Sequence, residues 1–451
     1  MSPEEIKSMR LEELISLNKF HCICGKDHAA GQLKVIICSG AIGKLPEVLQ
    51  ELGCRKPFLL SGHDSYAAAG GIVEQVLTRS GLTYGRYVFP RSPVKPTEEA
   101  VGSAVMHFDH SCDCVVGVGS GVINDIGKLL AHAAGRVYII VATAPSMDGF
   151  ASATSSMDMD GLKVSLNSTG ARAIIGDLDV LSHAPMRMLL AGVGDMLAKI
   201  VSLAEWRIAN LLVDEYYCPA VSALVENALD RVLSASAGLL NRDKDAVAAV
   251  MEGLVIAGLA MKYAGLSRPA SGMEHYFSHI WDMRSLAFPD ARADLHGIQC
   301  GVGTLYSLKV YDYIRRVRPD RQRALDYAAS FSLEQWNKEL RRFIGPGAEA
   351  MIEGERHEGK YDLKKHAERL ERIIERWDEI QEIIAALPSY EQVRARLEAL
   401  GAPTGVRYLG YTDRQVADTF RMTKDIRDKY IASRLLWDLG LLDEAAQSFC
   451  C

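Results

Sequence analysis

The first half of the chain alternates short apolar runs with glycine-rich turns and helical stretches, and this alternation limits the possible folds more than any other feature of the sequence. Five apolar runs are typical of strands: residues 34–40, 57–62, 85–90, 114–121 and 137–145. Thr97, followed by two glutamates, opens one of the intervening helices. Strands that alternate with helices form βαβ units, in which the strands run parallel. The pattern predicts an α/β domain with a mainly parallel sheet over residues 1–184.

After about Pro185 the sequence changes character. Long amphipathic stretches follow, such as residues 186–210 and 221–240, and few alternating β-branched runs appear. We therefore expect an all-helical second domain over residues 185–451. A chain of 451 residues is long enough for two such domains.

Composition limits the class of function. Apolar residues make up 48% and charged residues 24% of the chain, which is ordinary for a soluble enzyme. The net charge of -6 gives no general attraction to nucleic acid or to anionic membranes. No apolar run reaches the roughly 18 residues of a membrane span, and the N-terminus lacks a signal-peptide core. The ten cysteines show no disulfide-scaffold spacing. We expect a cytoplasmic protein with no nucleic-acid partner and no membrane insertion.

Glycines occur where the fourth strand should end and a helix begin. The stretch GVGSGVINDIGK, residues 117–128, would let backbone N–H groups approach a phosphate at the positive end of the helix. Its spacing is not the G-x-G-x-x-G of dinucleotide-binding domains, and a plain tight turn is the alternative.

The fifth strand also ends in small polar residues. TAPSMDGFASATSSM, residues 143–157, places hydroxyl groups and an aspartate at the carboxyl end of a parallel strand, where ligands bind in open α/β sheets. An ordinary loop is the alternative for this stretch alone. Because two neighbouring strands end in this way, the sequence favours one shared ligand site.

Three polar residues in the second half are candidates for a metal site. Asp195 lies in an otherwise apolar helix, where an unpaired carboxylate would be costly, although Lys199 one turn later could pair with it. His275 belongs to the stretch EHYFSH, and His296 directly precedes a glycine. One carboxylate and two imidazoles suit zinc, iron(II), nickel or manganese and leave open positions for a substrate.

EHYFSH contains a second histidine, His279, which lies on the same face of a helix as His275. Both histidines could bind one metal, one could bind a metal while the other does chemistry, or both could be ordinary helix residues. The glutamate precedes the first histidine, so the stretch is not the H-E-x-x-H motif of metalloproteases.

At these residues the sequence resembles the glycerol-1-phosphate dehydrogenase family. That family is a branch of the metal-dependent, iron-containing alcohol dehydrogenases, which are related to glycerol dehydrogenase and dehydroquinate synthase. The resemblance runs from about Phe20 to Leu442 and rests on GSGVIND, TAPSMDGFAS, ARAIIGDLDVL, GDMLAK, SRPASGMEH and LHGIQCG. It implies a dehydroquinate synthase-like fold: a Rossmann-like NAD(P)-binding domain, a helical metal-binding domain and catalysis in the cleft between them. It also implies a homo-oligomer.

The same resemblance implies roles for individual residues. The family's NAD(P) contacts match Gly119, Ser120, Gly121, Val122, Ile123, Asp125, Thr143, Ala144, Ser146 and Ser152. Asp195, His275 and His296 match the metal ligands, and Asp195 also approaches the substrate, which implies a catalytic role for it. The 21-residue step from His275 to His296 fits the family better than the 17-residue step from His279. Asp148 and His279 match substrate contacts, so we predict that His279 is a catalytic residue and not a ligand.

Cofactor preference depends on the end of the second strand. Many relatives carry an aspartate there, which would bind the adenosine ribose and repel the 2′-phosphate of NADP. Alignment of the YAAAG stretch places Gly62 in that position, and Asp64 lies two residues later. The sequence therefore predicts use of both NADH and NADPH.

The resemblance implies reversible reduction of dihydroxyacetone phosphate to sn-glycerol 1-phosphate, with a divalent zinc, nickel or iron ion as Lewis acid. A bound water or His279 would supply the proton. Lys163, Lys199 and Arg268 are candidates to hold the substrate phosphate. The alternatives are a dehydrogenase of glycerol or another small polyol, a lyase of the dehydroquinate synthase type, and a binding protein without activity.

Residues 20–28, FHCICGKDH, suggest a zinc site through Cys22, Cys24 and His28. C-x-C with one histidine supplies only three ligands and lacks the spacing of a zinc knuckle. We therefore expect this stretch to be an ordinary part of an N-terminal extension.

Overall fold

A six-stranded parallel sheet organises the first part of the chain in the computed structural model, which describes residues 1–17, 19–159 and 162–449. Contacts divide the chain into two units. Unit 1 comprises Met1–Asp160, Val164–Met196 and Pro219–Ser267, and unit 2 comprises Gly161–Lys163, Leu197–Cys218 and Arg268–Cys451. The domain bounds 1–184 and 185–451 stay a prediction.

The strands, in chain order, are β1 Lys19–His21, β2 Asp27–Ala29, β3 Lys34–Cys38, β4 Pro57–Gly62, β5 Gly85–Phe89, β6 Cys114–Gly119, β7 Val137–Ala142, β8 Thr154–Met159, β9 Leu162–Asn167 and β10 Ala173–Asp177. The large sheet has the order β3-β10-β7-β6-β4-β5, and all neighbouring strands run parallel. β1 pairs with β2 in an antiparallel hairpin, and β8 with β9 forms a second two-stranded sheet.

The helices are α1 Pro3–Lys7, α2 Leu11–Ser16, α3 Leu45–Glu51, α4 His63–Ser65, α5 Gly71–Arg79, α6 Glu98–Met106, α7 Gly121–Ala134, α8 Leu178–Leu181, α9 Met186–Leu197, α10 Lys199–Val213, α11 Pro219–Ala235, α12 Lys244–Ala264, α13 Met273–Ala287, α14 His296–Ile314, α15 Arg321–Ser330, α16 Leu333–Ile344, α17 Ala348–Glu358, α18 Leu363–Glu375, α19 Trp377–Ala385, α20 Tyr390–Ala399, α21 Asp413–Thr423, α22 Ala432–Asp438 and α23 Leu442–Gln447. A π-helical turn, Tyr66–Gly70, lies between α4 and α5. Short 3-10 segments occur at Ala41–Lys44, Ser236–Asn241, Gly345–Gly347 and Val406–Leu409.

The predicted fold class, an α/β part followed by a helical part, is confirmed. The five predicted strands correspond to β3, β4, β5, β6 and β7, and Thr97 caps α6 by accepting a hydrogen bond from the Ala100 N–H. The sequence analysis missed β10, which lies between β3 and β7. All five residues of β10 are buried, because a central parallel strand is covered on both faces and shows no alternating pattern.

Two helices form the centre of unit 2. α13 and α14 pack along each other, and most residues of both are buried. Because α14 is surrounded on all sides, its apolar and small residues show no amphipathic stripe. His275 and His279 lie in the first half of α13, and His296 is the first residue of α14.

One helix, α12, is long and apolar enough to cross a membrane by length and composition, with a mean hydropathy of 1.6. Within its most apolar window, 72% of the residues are buried inside the protein. A core helix meets the same criteria, so this is weak evidence for a membrane span.

Helix α7 lies directly on the ring of Tyr138, a fully buried residue of β7. A Cβ atom on Gly127 would come within 2.6 Å of the Tyr138 ring atom Cε2, and one on Gly117 within 2.4 Å of its hydroxyl oxygen. Glycine at these two positions therefore sets how closely α7 approaches the sheet.

We predict that Gly127→Ala lowers the free energy of unfolding by about 1–3 kcal/mol, because the added methyl group overpacks a buried contact. Thermal unfolding of the purified chain measures the effect. Gly102→Ala in α6 is the matched control, because its Cβ position faces open space; there alanine should stabilise the protein by about 0.5–1 kcal/mol. Equal melting temperatures for the two variants would contradict this account of the packing.

Candidate metal and cofactor sites

The predicted phosphate turn lies where β6 meets α7. β6 ends at Gly119, Ser120 is the N-cap, and Gly121, Val122 and Ile123 begin the helix. A Cβ atom on Gly119 would come within 2.5 Å of Ile123 Cβ, so only glycine lets the strand end this close to the helix. The first N–H groups of a helix lack partners within the helix and carry partial positive charge, which suits a phosphate.

The loop after β7 lies against this turn. Ser120 and Ser146 share a hydrogen bond between their hydroxyl oxygens at 2.5 Å, and the Ser120 hydroxyl also lies 3.3 Å from the Ala144 carbonyl oxygen. The Thr143 N–H donates to the Gly119 carbonyl at 3.0 Å. Residues predicted from two separate strands are thus brought together within unit 1.

A buried lysine, Lys128, fixes the same loop from α7. Its ammonium group donates to the Gly149 carbonyl and to the Ser152 hydroxyl, each at 3.3 Å, and pairs with the Asp125 carboxylate at 2.9 Å. Asp125 and Ser152, both predicted NAD(P) contacts, therefore have internal partners that hold the loop in place. Lys128 belongs to the quoted glycine motif, but the sequence alone does not distinguish it from a solvent-exposed lysine.

Gly62 ends β4 and borders the first turn of α7. A Cβ atom there would lie 3.7 Å from Ile123 Cδ1 and 3.2 Å from Val94 Cγ2. The Asp64 side chain is 80% exposed and accepts a hydrogen bond from the Ser92 hydroxyl at 2.6 Å. That hydrogen bond, together with His63, lowers the pKa of Asp64. Gly62 therefore borders the predicted phosphate turn, and Asp64 is engaged by Ser92.

Asp195 is fully buried in α9 and accepts a hydrogen bond from the Asp148 N–H at 2.9 Å. Glycines allow two helices to approach the loop that contains Asp148. A Cβ atom on Gly192 of α9 would lie 2.1 Å from the Pro145 carbonyl oxygen, and one on Gly258 of α12 would lie 2.8 Å from that of Asp148. The loop after β7 is therefore fixed by α7, α9 and α12.

Three imidazoles lie together in unit 2. The ring centroids of His275 and His296 are 5.0 Å apart, and His279 lies 6.3 Å from His296 and 6.5 Å from His275. His275 and His279 are one turn apart on α13, and His296 is the first residue of α14. The packing of α13 against α14 brings the two predicted ligands together.

Each predicted histidine ligand has a partner at Nδ1. His275 Nδ1 lies 2.9 Å from the Glu274 carboxylate, and His296 Nδ1 lies 3.1 Å from the Ser278 hydroxyl. Cys300 Sγ is 3.5 Å from His296 Nε2. Histidine ligands usually donate their second N–H in this way, which leaves Nε2 to bind the metal.

The sequence analysis missed Glu274, Ser278 and Cys300. Glu274 directly precedes the predicted ligand His275, and Cys300 follows His296 by one helical turn, so both could have been found by their spacing. Ser278 becomes a partner of His296 only through the packing of two helices, and no local pattern indicates it.

Two buried carboxylates stabilise the start of α13. Glu205 accepts hydrogen bonds from the N–H groups of Met273 and Ala432 at 2.8 and 2.9 Å, and Glu274 accepts one from the Gly272 N–H at 2.6 Å. Burial raises the pKa of Glu205 to about 8 and that of Glu274 to about 7. The N–H groups at the helix start oppose these shifts by favouring the charged form.

Two of the predicted phosphate-binding residues have structural partners. The Arg268 guanidinium, which is 1% exposed, binds the Glu215 carboxylate through two hydrogen bonds of 2.7 and 2.5 Å. Lys199 is fully buried and donates to the Ala270 carbonyl at 3.1 Å. Arg268 and Lys199 are therefore both hydrogen-bonded within unit 2. Their contact with a substrate stays a prediction.

Two other cations act on His279. Burial, followed by the positive charge of Arg427 and, more weakly, that of Lys163, holds the pKa of His279 well below its ordinary value. His279 Nδ1 is buried and has no hydrogen-bond partner among the described residues. Lys163 was predicted and Arg427 was not, because an arginine within a charged stretch near the C-terminus carries no local signal of a site.

Comparison with known proteins identifies the family of this chain. The sequence profile of the family described as iron-containing alcohol dehydrogenase matches residues 36–185. A glycerol-1-phosphate dehydrogenase [NAD(P)+] from Halalkalibacterium halodurans is 32% identical over 294 residues, which cover 64% of this chain and 73% of that protein. Its counterpart from Thermofilum pendens is 34% identical over 64% of this chain and 80% of its own. The Bacillus licheniformis enzyme of the same name is 28% identical over 93% of both chains.

Solved structures share the fold at low identity. Glycerol dehydrogenase from Schizosaccharomyces pombe matches with a TM-score of 0.58 and 17% identity, covering 93% of this chain and 90% of that chain. Maleylacetate reductase from Rhizobium sp. strain MTP-10005 matches with a TM-score of 0.58 and 13% identity, covering 93% and 97%. The sequence relatives separate this chain from those enzymes: it belongs to the glycerol-1-phosphate dehydrogenase family.

Proposed function

We propose that this chain is an NAD(P)H-dependent glycerol-1-phosphate dehydrogenase that reversibly reduces dihydroxyacetone phosphate to sn-glycerol 1-phosphate. The observation that carries the proposal is the pair of imidazoles of His275 and His296, each engaged at Nδ1, in a chain of this family. A binding protein without activity would not need two neighbouring histidines that are each oriented by a hydrogen bond at Nδ1.

We propose Asp195, His275 and His296 as the ligands of one divalent metal. The donor set fits: a buried carboxylate with one oxygen held by a main-chain N–H, and two imidazoles that are each hydrogen-bonded at Nδ1. Zinc, nickel and iron all accept this set, and three protein ligands leave a position for the substrate oxygen. Bound there, the metal supplies Lewis acidity at a carbonyl oxygen, and the reduced nicotinamide supplies hydride.

His279 has a different role in this proposal. Its low pKa keeps the imidazole neutral near pH 7, so it can donate one hydrogen bond without carrying charge. A neutral donor positions the substrate oxygen and connects it to solvent through the proton path. Of the two proton sources considered from the sequence, water delivered along His279 fits a neutral imidazole better than His279 acting as the acid.

The cofactor binds, in this proposal, at the carboxyl edge of the sheet. The pyrophosphate lies on the first turn of α7, which can begin directly at the end of β6 because Gly119 has no side chain to meet Ile123. The loop after β7 excludes water on one side, because Lys128 and the serine pair hold it against the turn. We further propose a cytoplasmic homo-oligomer that does not bind nucleic acid or insert into a membrane.

A chiral product assay tests the function. The purified chain, stripped of metal and restored with zinc, nickel or iron, should consume NAD(P)H with dihydroxyacetone phosphate and yield the sn-1 enantiomer. A lyase would show no net NAD(P)H consumption, and a glycerol dehydrogenase would prefer unphosphorylated dihydroxyacetone.

We predict that alanine at His275 and at His279 has different effects. His275→Ala should lose both catalytic metal and activity. His279→Ala should keep the metal and lose about tenfold to a thousandfold in turnover, the usual range for one positioned donor. Metal content by mass spectrometry, beside initial rates, separates the two. Asp195→Ala should lose metal as His275→Ala does, and unchanged metal and turnover in that variant would remove Asp195 from the ligand set.

We predict that the wild-type chain uses NADH and NADPH within roughly tenfold of each other, which is about 1.4 kcal/mol. Gly62→Asp should shift the preference toward NADH, because a carboxylate next to the first turn of α7 repels a 2′-phosphate. Asp64→Asn is the control and should leave the preference unchanged, since Asp64 is bonded to Ser92. Rejection of NADPH by the wild type, relieved in Asp64→Asn, would reverse these two assignments.

We predict that Arg427 and Lys163 hold the substrate phosphate, because their charges act on His279. Arg427→Ala should raise the KM for dihydroxyacetone phosphate by about tenfold to a hundredfold, the loss of a charged hydrogen bond, and leave KM for unphosphorylated dihydroxyacetone unchanged. Arg407→Ala, at a side chain that is 86% exposed, is the matched control. Equal effects on both substrates would mean that Arg427 does not recognise the phosphate.

A further inference from the structure

Cys300 lies one turn after His296 on α14, and its thiol is close to that histidine. The sulfur is 3.5 Å from Nε2 of His296 and 3.8 Å from Nδ1. One ligand atom from each of His275, His296 and Cys300 lies within 4.8 Å of the other two. Side chains four residues apart share one face of a helix, so the register of α14 produces the contact. Unit 2 therefore presents a thiol beside its two proposed imidazole ligands.

The distance between the sulfur and the nitrogen is that of two ligands on one ion. In a tetrahedral site with a bond of about 2.3 Å to sulfur and about 2.0 Å to nitrogen, these two atoms lie about 3.5 Å apart. Cys300 Sγ and His296 Nε2 have this separation. Neither side chain has to move far for both to bind the same metal.

Close packing of α13 against α14 brings His275 to the same place. A Cβ atom on Gly303 of α14 would come within 2.5 Å of the Glu274 carbonyl oxygen on α13. Glycine there lets the two backbones approach beside His275, whose ring centroid lies 5.0 Å from that of His296. Cys300, between His296 and Gly303 on α14, is fully buried. The thiol therefore lies inside this helix pair, close to both imidazoles.

A chain of hydrogen bonds engages the other nitrogen of His296. The Asp294 N–H donates to Oε1 of Gln299 at 3.1 Å, which identifies the Gln299 NH₂ as the group that faces Ser278 and Asp282. That NH₂ donates to the Ser278 hydroxyl at 2.9 Å, and the Ser278 oxygen lies 3.1 Å from His296 Nδ1. Because Nδ1 is engaged there, Nε2 is the nitrogen nearer to the Cys300 sulfur.

We propose that the Cys300 thiolate is a further ligand of the metal bound by His275 and His296, and that it occupies the substrate position until the substrate binds. The inference rests on the metal site proposed above. Four protein ligands would close a tetrahedral site, so the substrate oxygen has to displace the sulfur. No electron is transferred: the thiol loses a proton when it binds the metal and regains one when it leaves. A thiolate also favours zinc over manganese(II), which prefers oxygen ligands.

Cobalt(II) bound to the full-length chain tests the ligand. Cobalt bound by a thiolate shows a sulfur-to-metal charge-transfer band that carboxylate and imidazole ligands do not produce. Metal-free wild type given one equivalent of cobalt(II) should show this band, and Cys300→Ser and His275→Ala should each lose it. Cys112→Ser, at a buried cysteine whose thiol donates to the Pro57 carbonyl, is the matched control and should keep it. A wild type without the band, or a band undiminished in Cys300→Ser, would overturn the proposal.

Saturating dihydroxyacetone phosphate tests the exchange. It should weaken the band of the wild type, because the carbonyl oxygen takes the position of the sulfur. A band that stays unchanged in a chain that turns over this substrate would refute displacement of the thiolate. A chain that does not turn over this substrate would refute the proposed function, while the band of the substrate-free chain still shows whether Cys300 is a ligand.

Metal affinity provides a second measurement if Cys300→Ser folds poorly. Cys300→Ala removes the donor atom and keeps a residue that favours helix. Since loss of an outer-shell partner alone costs tenfold to a hundredfold in metal affinity, loss of a ligand should lower zinc affinity by at least about tenfold. Competition with a chelator measures it. Affinity for manganese(II) should change much less, and equal losses for both metals would mean that the substitution disturbs the site without removing a ligand, which would contradict the proposal.

Discussion

The hydrogen bond from the Asp148 N–H to the buried carboxylate of Asp195 links the loop after β7 to a proposed metal ligand. Asp148 belongs to the loop after β7, and Ser146 of that loop is bonded to Ser120 at the phosphate turn. The same loop thus touches the proposed phosphate turn at one point and a proposed metal ligand at another. It can do so only because Gly192 and Gly258 let α9 and α12 approach its backbone. A side chain at either glycine would displace the loop, and with it both contacts.

In unit 2 the start of α13, where His275 lies, is held by two buried carboxyl groups. Glu274 orients His275, and Glu205 holds the first N–H group of α13, so two carboxylates lie at one helix start. Gly272 makes this possible, because a Cβ atom there would come within 2.5 Å of a Glu205 oxygen. A buried carboxyl group left without these N–H partners would be destabilising. These hydrogen bonds hold the backbone at the start of α13 and the imidazole of His275 in one orientation.

Sequence patterns predicted those strands and turns that are determined by neighbouring residues along the chain. Alternation of apolar runs and helices was enough for five strands of the sheet, and glycine-rich strand ends indicated the turn at Gly119 and the loop at Ser146. β10 was missed because a short strand buried on both faces has no period of its own. Ser278 and Arg427 were missed for a different reason: each lies near a candidate histidine only because the chain folds, and such contacts leave no trace in the spacing along the chain. The identity of the reaction came from family motifs and not from physical patterns, because one carboxylate and two imidazoles serve many chemistries.

The order of strands in the sheet has a consequence for how the protein is made. β3 is among the first strands in the chain, yet its partner in the large sheet is β10, and Cys38 pairs with Asp177 far later in the sequence. A chain that emerges from the ribosome N-terminus first can pair β4, β5, β6 and β7 with one another long before β10 exists. Until β10 has been synthesised, the apolar edge of β7 is unpaired and β3 has no partner in the large sheet. The Asp177 carboxylate then also accepts hydrogen bonds from the N–H groups of Gly40 and Ile42, so arrival of one short strand closes the sheet and fixes the turn after β3 together. A nascent chain that ends before β10 therefore exposes the edge of β7 as a template for pairing with other chains.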